Sequence, residues 1–200
     1  ITVVDNPQIS GSRPFSLGLS RDQILLTCQD KEVVKDNSHL NLELSKNGDP
    51  IRTAFNPFDD GYWSGSFDGS DDRVTVVGGH NIGTGDFTIS AWVYRKSNGT
   101  YPVILDTRSS DSDTKPVIYT DGTTLYYYTA GGIRITASSA INNGVWYFVR
   151  LVRSSGTTKL FLNGVQVGSD YSDSNNYAPT NDWEIGSRHT NQHYWPGYIS

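Results

Sequence analysis

The chain contains one cysteine and no methionine among its 200 residues. With Cys28 as the only thiol, no disulfide can form within the chain, so the hydrophobic core must hold the fold together. No apolar run reaches the length of about 18 residues that a membrane-spanning helix needs, and no secretory signal peptide is visible. Because the sequence starts at Ile1 and lacks methionine, we expect it to be a piece of a longer polypeptide or a processed product.

Charged residues are also scarce. They make up 18% of the chain, which has a net charge of −5, whereas soluble domains are on average about 25% charged. Lysine and arginine occur singly or in pairs such as Arg95 and Lys96, and not in the clusters with which proteins bind nucleic-acid phosphates. Uncharged polar residues are plentiful instead. We therefore expect no nucleic-acid partner and no membrane partner, and a location outside the cell or on the surface of a virion.

The sequence does contain many short runs in which apolar and polar residues alternate. In one of them, apolar side chains occupy every second position from Phe87 to Val93, which is the period of a half-buried β-strand. Later runs are separated by Asp121-Gly122, Gly131-Gly132 and Asn163-Gly164, and such dipeptides permit the positive φ angles of tight hairpins. Neither helical periodicity nor an internal repeat is present. The sequence therefore predicts an all-β protein, either a sandwich or a barrel.

The domain organisation follows from the distribution of proline and glycine. Residues 1–20 are interrupted by two prolines and two glycines, so we interpret them as a connector or as the end of a preceding module. Residues 21–200 are expected to form one domain. A chain of this length can bury about 70% of its unfolded surface, which is enough for one substantial core.

Several segments together resemble a known family. They are FDGSDDRVTV, GTGDFTISAWVY, INNGVWYFVRLVRSSGTTKLFLNGVQVGS, and WEIGSRH followed by YWPGYIS. These segments resemble the laminin-G-like, concanavalin-A-like lectin–glucanase domains, especially those in virion proteins of tailed, above all marine, phages. The resemblance implies a two-sheet antiparallel jelly-roll sandwich over residues 21–200. It also implies that the strand starting at Gly197 lies beside the one near Ser66 and continues further, so we expect a domain truncated at its C-terminus.

Glycosidases share this fold, and catalysis would require paired carboxylates. In retaining glycosidases the two carboxyl groups lie about 5 Å apart. Here the glutamates Glu32, Glu43 and Glu184 each stand alone, and the aspartate pairs are adjacent in the chain, so they point to opposite faces or lie in turns. There is no Gly-x-Ser-x-Gly motif, and the histidines lack the spacing of a zinc site. The sequence therefore favours a protein that is not an enzyme.

Calcium is the metal that the sequence favours. Calcium takes several oxygen ligands from flexible loops, and the resemblance implies aspartates at one rim of the sandwich. Two loop segments are rich in such oxygens, and their candidate ligands are Asp106, Asp111, Asp113, Asp170, Asp173 and Asn175. The same residue types are also typical of ordinary turns, because their side chains hydrogen-bond to nearby backbone. Both interpretations stay open at this point.

The remaining indication of a binding function is the aromatic residues, which make up 12% of the chain. A sugar can stack the apolar face of its ring on an aromatic side chain while polar groups bind its hydroxyls. The candidate residues are tyrosines in predicted loops, namely Tyr101, Tyr171, Tyr177 and Tyr194. In addition, three consecutive tyrosines at 126–128 lie on a predicted strand, so at least one of them must point outward.

Together these features predict a non-catalytic module on a phage tail, fibre or capsid that adheres to host cell-surface glycans. We expect it to be displayed in the particle as a homo-oligomer. Two alternatives stay open. One is a structural or decoration module that makes protein–protein contacts within the virion. The other is a cellular adhesion domain that binds protein or heparan sulfate, although the acidic net charge argues against heparan sulfate.

Overall fold

The computed structural model describes residues 1–5, 23–28, 35–58, 62–138, 140–178 and 181–200. The regular structure of these residues consists of sixteen β-strands and no helix, which confirms the prediction of an all-β protein. The strands are β1 (Thr2–Asp5), β2 (Gln23–Leu26), β3 (Leu44–Asn47), β4 (Ile51–Thr53), β5 (Ser64–Asp68), β6 (Arg73–Val76), β7 (Phe87–Arg95), β8 (Val103–Asp106), β9 (Val117–Asp121), β10 (Thr124–Thr129), β11 (Gly132–Ala137), β12 (Trp146–Ser154), β13 (Thr157–Leu162), β14 (Val165–Ser172), β15 (Trp183–Ile185) and β16 (Pro196–Ile199). Within these ranges, no helix is long and apolar enough to cross a membrane.

The strands form two antiparallel sheets. Sheet A has nine strands: seven follow the order β14-β13-β12-β7-β16-β5-β4, β1 pairs with β7, and β2 pairs with β1. Sheet B has seven strands in the order β11-β10-β9-β8-β15-β6-β3. Neighbouring strands are therefore often far apart in sequence, as in a jelly roll. The predicted two-sheet antiparallel sandwich is confirmed.

The core lies between the sheets because alternate residues of the central strands point toward the other sheet. On β7, Phe87, Ile89 and Val93 are buried in the main apolar cluster, and Trp183 and Ile185 of β15 belong to the same cluster. Burying an apolar side chain of this size stabilises the fold by about 1.5–3 kcal/mol. The residues between them point outward, so the outer faces of both sheets are free to carry other chemistry.

Strand β16 is a central element of sheet A. Gly197 lies opposite Phe67 of β5 on one side and Arg95 of β7 on the other. A β-carbon at position 197 would overlap the carbonyl oxygen of Tyr94, so only glycine permits this close approach of the two strands. The prediction that the strand starting at Gly197 lies beside the strand near Ser66 is confirmed.

The two predicted domain boundaries, at residue 20 and at the C-terminus, are not confirmed in this way. Thr2–Asp5 pair with β2 and with the first half of β7, a strand that the sequence analysis does not predict. Residues 6–22 lie outside the described part of the chain. The interpretation of residues 1–20 as a connector therefore stays a prediction, and so does the truncation at the C-terminus.

Cys28 is buried just after β2, as its apolar surroundings in the sequence suggest. Its side chain is a free thiol, and Sγ lies 3.8 Å from the carbonyl oxygen of Ile199 in β16. The thiol is thus covered by the last strand of the described chain.

Candidate functional site

A row of polar and aromatic side chains crosses the outer face of sheet B. The strand register places Tyr128, Val117, Asp106, Glu184 and Thr75 side by side on β10, β9, β8, β15 and β6. Directly opposed residues have β-carbons about 4.5–5.5 Å apart. Their neighbours along each strand point into the core, so this row faces away from it. Five strands thus bring distant parts of the sequence together.

A cavity of about 410 Å³ opens beside this row. We call it the tyrosine cavity; its described lining residues are Tyr101, Val103, Arg108, Asp111, Val117, Tyr119, Tyr128, Arg188 and His193. The rings of Tyr119 and Tyr126 are stacked with their centroids 5.1 Å apart. The ring of Tyr101 meets Tyr119 edge-on at 6.2 Å. These rings form a continuous aromatic wall.

Tyr101 and His193 reach the rim of the cavity from unusual backbone conformations. Their φ angles are +52° and +58°, in the left-handed region that costs a non-glycine residue about 1–2 kcal/mol. The two rings lie 5.6 Å apart. The His193 ring nitrogen Nδ1 is 2.7 Å from the carbonyl oxygen of Thr100, and the Val103 amide donates to the His193 carbonyl. These contacts join two loops and hold both rings at the rim.

Arg108 is positioned by the buried carboxylate of Asp106. Its Nε and Nη2 donate to the two carboxylate oxygens at 3.0 and 2.8 Å, and its guanidinium lies 5.1 Å from the Tyr128 ring. Burial favours a higher pKa for Asp106, but hydrogen bonds with His189 and Arg108 and the Arg108 charge outweigh burial, so the pKa is lowered. Asp106 therefore stays ionised and fixes the guanidinium at the cavity wall.

A second charged pair lies at the open edge of the cavity. Arg188 donates a short hydrogen bond to Asp111, and this bond is the main cause of the lowered pKa of the Asp111 carboxyl. The Nε2 atom of His189 is 3.4 Å from the same carboxylate oxygen. The cavity therefore presents hydrogen-bond donors and an acceptor next to flat aromatic surfaces.

Glu184 lies beside Asp106 in the row, and its pKa is shifted in the opposite direction. Burial raises this pKa to about 7, although the Thr75 hydroxyl donates to its Oε2 at 2.9 Å. Two carboxyl groups with diverging pKa values are typical of acid–base pairs in enzymes. Here both oxygens of Asp106 are bound by Arg108, and its side chain is fully buried. Asp106 has no free oxygen with which to attack a sugar.

The structure separates the four predicted sugar-binding tyrosines. Tyr101 lines the tyrosine cavity. Tyr194 is half-buried and does not belong to the described lining. Tyr171 lies on β14, and Tyr177 is only 1% exposed. The prediction that Tyr171 lies in a loop is therefore wrong, and Tyr177, which lies outside the strands as predicted, is buried.

Tyr177 is held inside the sandwich by the buried Asp173, whose carboxylate accepts a 2.8 Å hydrogen bond from the Tyr177 hydroxyl. The Tyr177 ring packs edge-on against Phe87, and burial raises its pKa to about 12. The ring and the hydroxyl are thus both satisfied inside the sandwich, and neither face of the ring is open to a ligand.

Sequence reasoning missed most residues of the tyrosine cavity. Tyr119 and Tyr128 lie on strands, whereas the predicted sugar-binding tyrosines were those in predicted loops. Strand alternation contained the signal, because Tyr127 is buried while Tyr126 and Tyr128 point outward. The two arginines gave no such signal, since Arg108 and Arg188 come together only through the fold.

The predicted calcium ligands are mostly bound to cationic side chains. The pairs are Asp106 with Arg108, Asp111 with Arg188, Asp113 with Lys115, Asp170 with Lys159, and Asp173 with Arg153. The sixth residue, Asn175, donates from its amide to Asp173 and to the Tyr171 hydroxyl. A calcium ion at these residues would have to displace these partners. Calcium binding stays a prediction.

Comparison with known families gives one match. A family model described as the concanavalin A-like lectin/glucanases superfamily matches residues 67–200. These residues include β6 to β16 and every described residue of the tyrosine cavity. No curated protein matches the chain.

Several solved structures share the fold at low sequence identity. One is of botulinum neurotoxin type C, whose cell entry depends on interaction with two ganglioside molecules; it is 22% identical, with a TM-score of 0.59, covering 81% of this chain and 42% of that chain. The chain thus spans less than half of that toxin chain.

Two further structures complete the comparison. Domain 4 of AbnA, an extracellular arabinanase from Geobacillus stearothermophilus, in complex with arabinotriose, is 15% identical, with a TM-score of 0.57 and 84% of each chain covered. Domains LG4-5 of the mouse laminin alpha1 chain are 18% identical, with a TM-score of 0.55, covering 68% of this chain and 39% of that chain. At such identities the likeness shows the fold.

Proposed function

The chain belongs to the concanavalin A-like lectin/glucanases superfamily, and we propose that it is a non-catalytic module that binds a carbohydrate in the tyrosine cavity. The observation that carries this proposal is that Tyr101, Tyr119 and Tyr128 line the cavity beside Arg108 and Arg188. The rings offer flat apolar surfaces to the faces of a sugar, and the guanidinium groups donate to its hydroxyls. The carbohydrates named with the neurotoxin and the arabinanase domain support this ligand class.

The dimensions of the cavity suit a short saccharide. Its volume of about 410 Å³ is within the range of about 300–1,000 Å³ that is typical of small-molecule sites. We expect a single site to be weak, with a dissociation constant near 1 mM, which corresponds to about 4 kcal/mol. Display of many copies would raise the avidity by roughly 10² to 10⁴.

The setting that we propose is the surface of a virion, on a tail, fibre or capsid. Its support is the resemblance of the sequence segments to phage virion modules, together with a surface poor in charge. A cell-surface glycan of the host would then be the ligand, and neighbouring copies would supply the multivalency.

A structural role within the virion is the second candidate. It is favoured by Phe55, Phe58 and Tyr62, which are 43%, 46% and 46% exposed. Phe55 packs on Tyr94, and Phe58 packs on Trp92, on the outer face of sheet A. Exposed aromatic clusters of this kind are also typical of protein–protein contacts.

A glycan array probed with a multimerised module tests the carbohydrate proposal. We expect Tyr101→Ala and Tyr119→Ala to reduce binding at least tenfold. Tyr62→Ala is the matched control, because Tyr62 and Tyr101 are both 46% exposed, but Tyr62 lies on the opposite side. Unchanged binding by both cavity variants would overturn the proposal. A multimer that binds no glycan but associates with another virion protein would favour the structural role.

A further inference from the structure

A second cavity, of about 430 Å³, lies on the other side of the sandwich, on the outer face of sheet A. We call it the arginine cavity. The register places Thr88, Val152 and Lys159 side by side on β7, β12 and β13. One step along the strands, Arg150 lies opposite Phe161, and Phe148 follows on the same face of β12. Arg150 and Lys159 therefore lie over an apolar floor, and the third cation of the lining, Arg153, is buried and paired with Asp173.

The charge of this cavity is available to a ligand. Arg150 is exposed, and among the residues that the structure describes its side chain has no ion pair and no hydrogen bond. Lys159 pairs with Asp170 at 3.3 Å, and the two side chains are 40% and 48% exposed. Such surface pairs contribute only about 0–1 kcal/mol, so an incoming anion can replace Asp170. The acid at the end of the cavity, Asp86, is bound by the Ser155 amide.

Thr88 is an independent sign of a ligand. This residue is only 3% exposed, it lines the cavity, and its hydroxyl oxygen has no hydrogen-bond partner among the described residues. A buried hydroxyl without a partner costs about 1–3 kcal/mol. A hydroxyl group on a bound molecule would satisfy it.

The floor of the cavity is aromatic. Phe148 and Phe161 both line it, and the Phe148 ring is supported from the side by Trp92 at 5.3 Å. Rings fixed in a sheet in this way offer a flat apolar surface at little entropic cost. A small inorganic anion has no apolar face that could pack on these rings.

We propose that the arginine cavity binds a sugar that carries a carboxylate. The carboxylate would pair with Arg150 and Lys159, the apolar face of the ring would lie on Phe148 and Phe161, and a hydroxyl would bond to Thr88. A neutral sugar leaves Arg150 without an anionic partner, and an inorganic anion leaves the aromatic floor and the Thr88 hydroxyl unused. This site is separate from the tyrosine cavity and does not depend on it.

Titration of the full chain with methyl glucuronide and methyl glucoside tests the proposal. Binding is followed by the NMR signal of the Trp92 indole N–H. We expect the glucuronide to bind at least tenfold more tightly than the glucoside, and Arg150→Gln to remove this preference. Lys46→Gln is the control, because it removes one positive charge from an exposed position on β3 in the other sheet. It should leave the binding unchanged.

Two further variants separate the possible outcomes. Thr88→Val should weaken glucuronide binding while the melting temperature stays the same or rises, since it removes an unsatisfied buried hydroxyl. Tyr119→Ala should leave glucuronide binding intact, so that failure of this site and failure of the tyrosine cavity are distinguishable. The proposal is overturned if the glucuronide does not bind, if the glucoside binds equally well, or if Arg150→Gln binds like the wild type. Inorganic sulfate that competes as tightly as the glucuronide would also overturn it.

Discussion

At the residue scale, the Glu184 carboxyl group links the stability of the fold to pH near neutrality. Burial raises its pKa from 4.5 to about 7. Because the folded value is above the unfolded one, its stabilising contribution is complete below pH 4.5 and is lost as the pH rises through 7. The lowered pKa of Asp106 acts in a separate window, since its contribution is lost only as the pH falls through its folded value.

We therefore expect the free energy of unfolding of the wild type to fall between about pH 5 and pH 8 relative to Glu184→Gln, by on the order of 2–4 kcal/mol. Guanidinium unfolding at both pH values measures the difference. Glu43→Gln, at an exposed position, should keep the pH dependence of the wild type. If Glu184→Gln shows the same pH dependence as the wild type, the assignment of this window to Glu184 is wrong.

The backbone of Tyr101 gives a second prediction at this scale. Tyr101→Gly removes the ring but relieves the positive φ angle of +52°, an effect of about 1 kcal/mol that offsets the entropy of the added glycine. We expect the stability to change by less than about 1 kcal/mol while glycan binding falls at least tenfold. Ala130→Gly is the matched control, because Ala130 has a φ of +49° and is not among the described lining residues of the cavity. A variant that loses stability and binding together would count against a binding role for the ring.

At the element scale, β16 is the strand on which sheet A depends. Gly197→Ala would force a methyl group into the Tyr94 carbonyl and separate β16 from β7, so we expect a loss of about 3 kcal/mol or more. Gly99→Ala is the control, since a β-carbon there would meet only Pro102, at an ordinary contact distance of 3.5 Å. Thermal unfolding of the two variants measures the difference. Similar melting temperatures would show that the strands separate more easily than the packing indicates.

The strands themselves were predictable, and their outer faces were not. The alternation from Phe87 to Val93 identifies β7 and its core face, because burial of one face imposes the period. The same alternation in β10 shows that some tyrosines point outward, but not that Tyr119 and Tyr128 would meet Arg188 across the sheet. The convergence of these residues on one cavity depends on a strand order in which β15 lies beside β8. Strand order is set by packing over long distances in the chain, and local pattern does not contain it.

At the scale of the whole molecule, the two cavities lie on opposite outer faces, with the apolar core between them. Sites that are far apart and share no partners contribute additively, within about 0.3–0.5 kcal/mol. We therefore expect Tyr119→Ala and Arg150→Gln to act independently. In the double variant, each loss of affinity should equal that of the single variant when glycan and glucuronide are titrated separately. A larger combined loss would show that the two sheets communicate through the core.

The position of Cys28 also makes its thiol a natural probe of local opening in the fold. The thiol is the only one in the chain, and it lies beneath the end of β16, 3.8 Å from the Ile199 carbonyl. Because Cys28 is only 8% exposed, we expect a thiol reagent to react mainly when this end of the sandwich opens, so that the rate of labelling reports the free energy of that opening. Followed across denaturant concentrations, this rate distinguishes local release of the last strand from global unfolding, without any engineered probe.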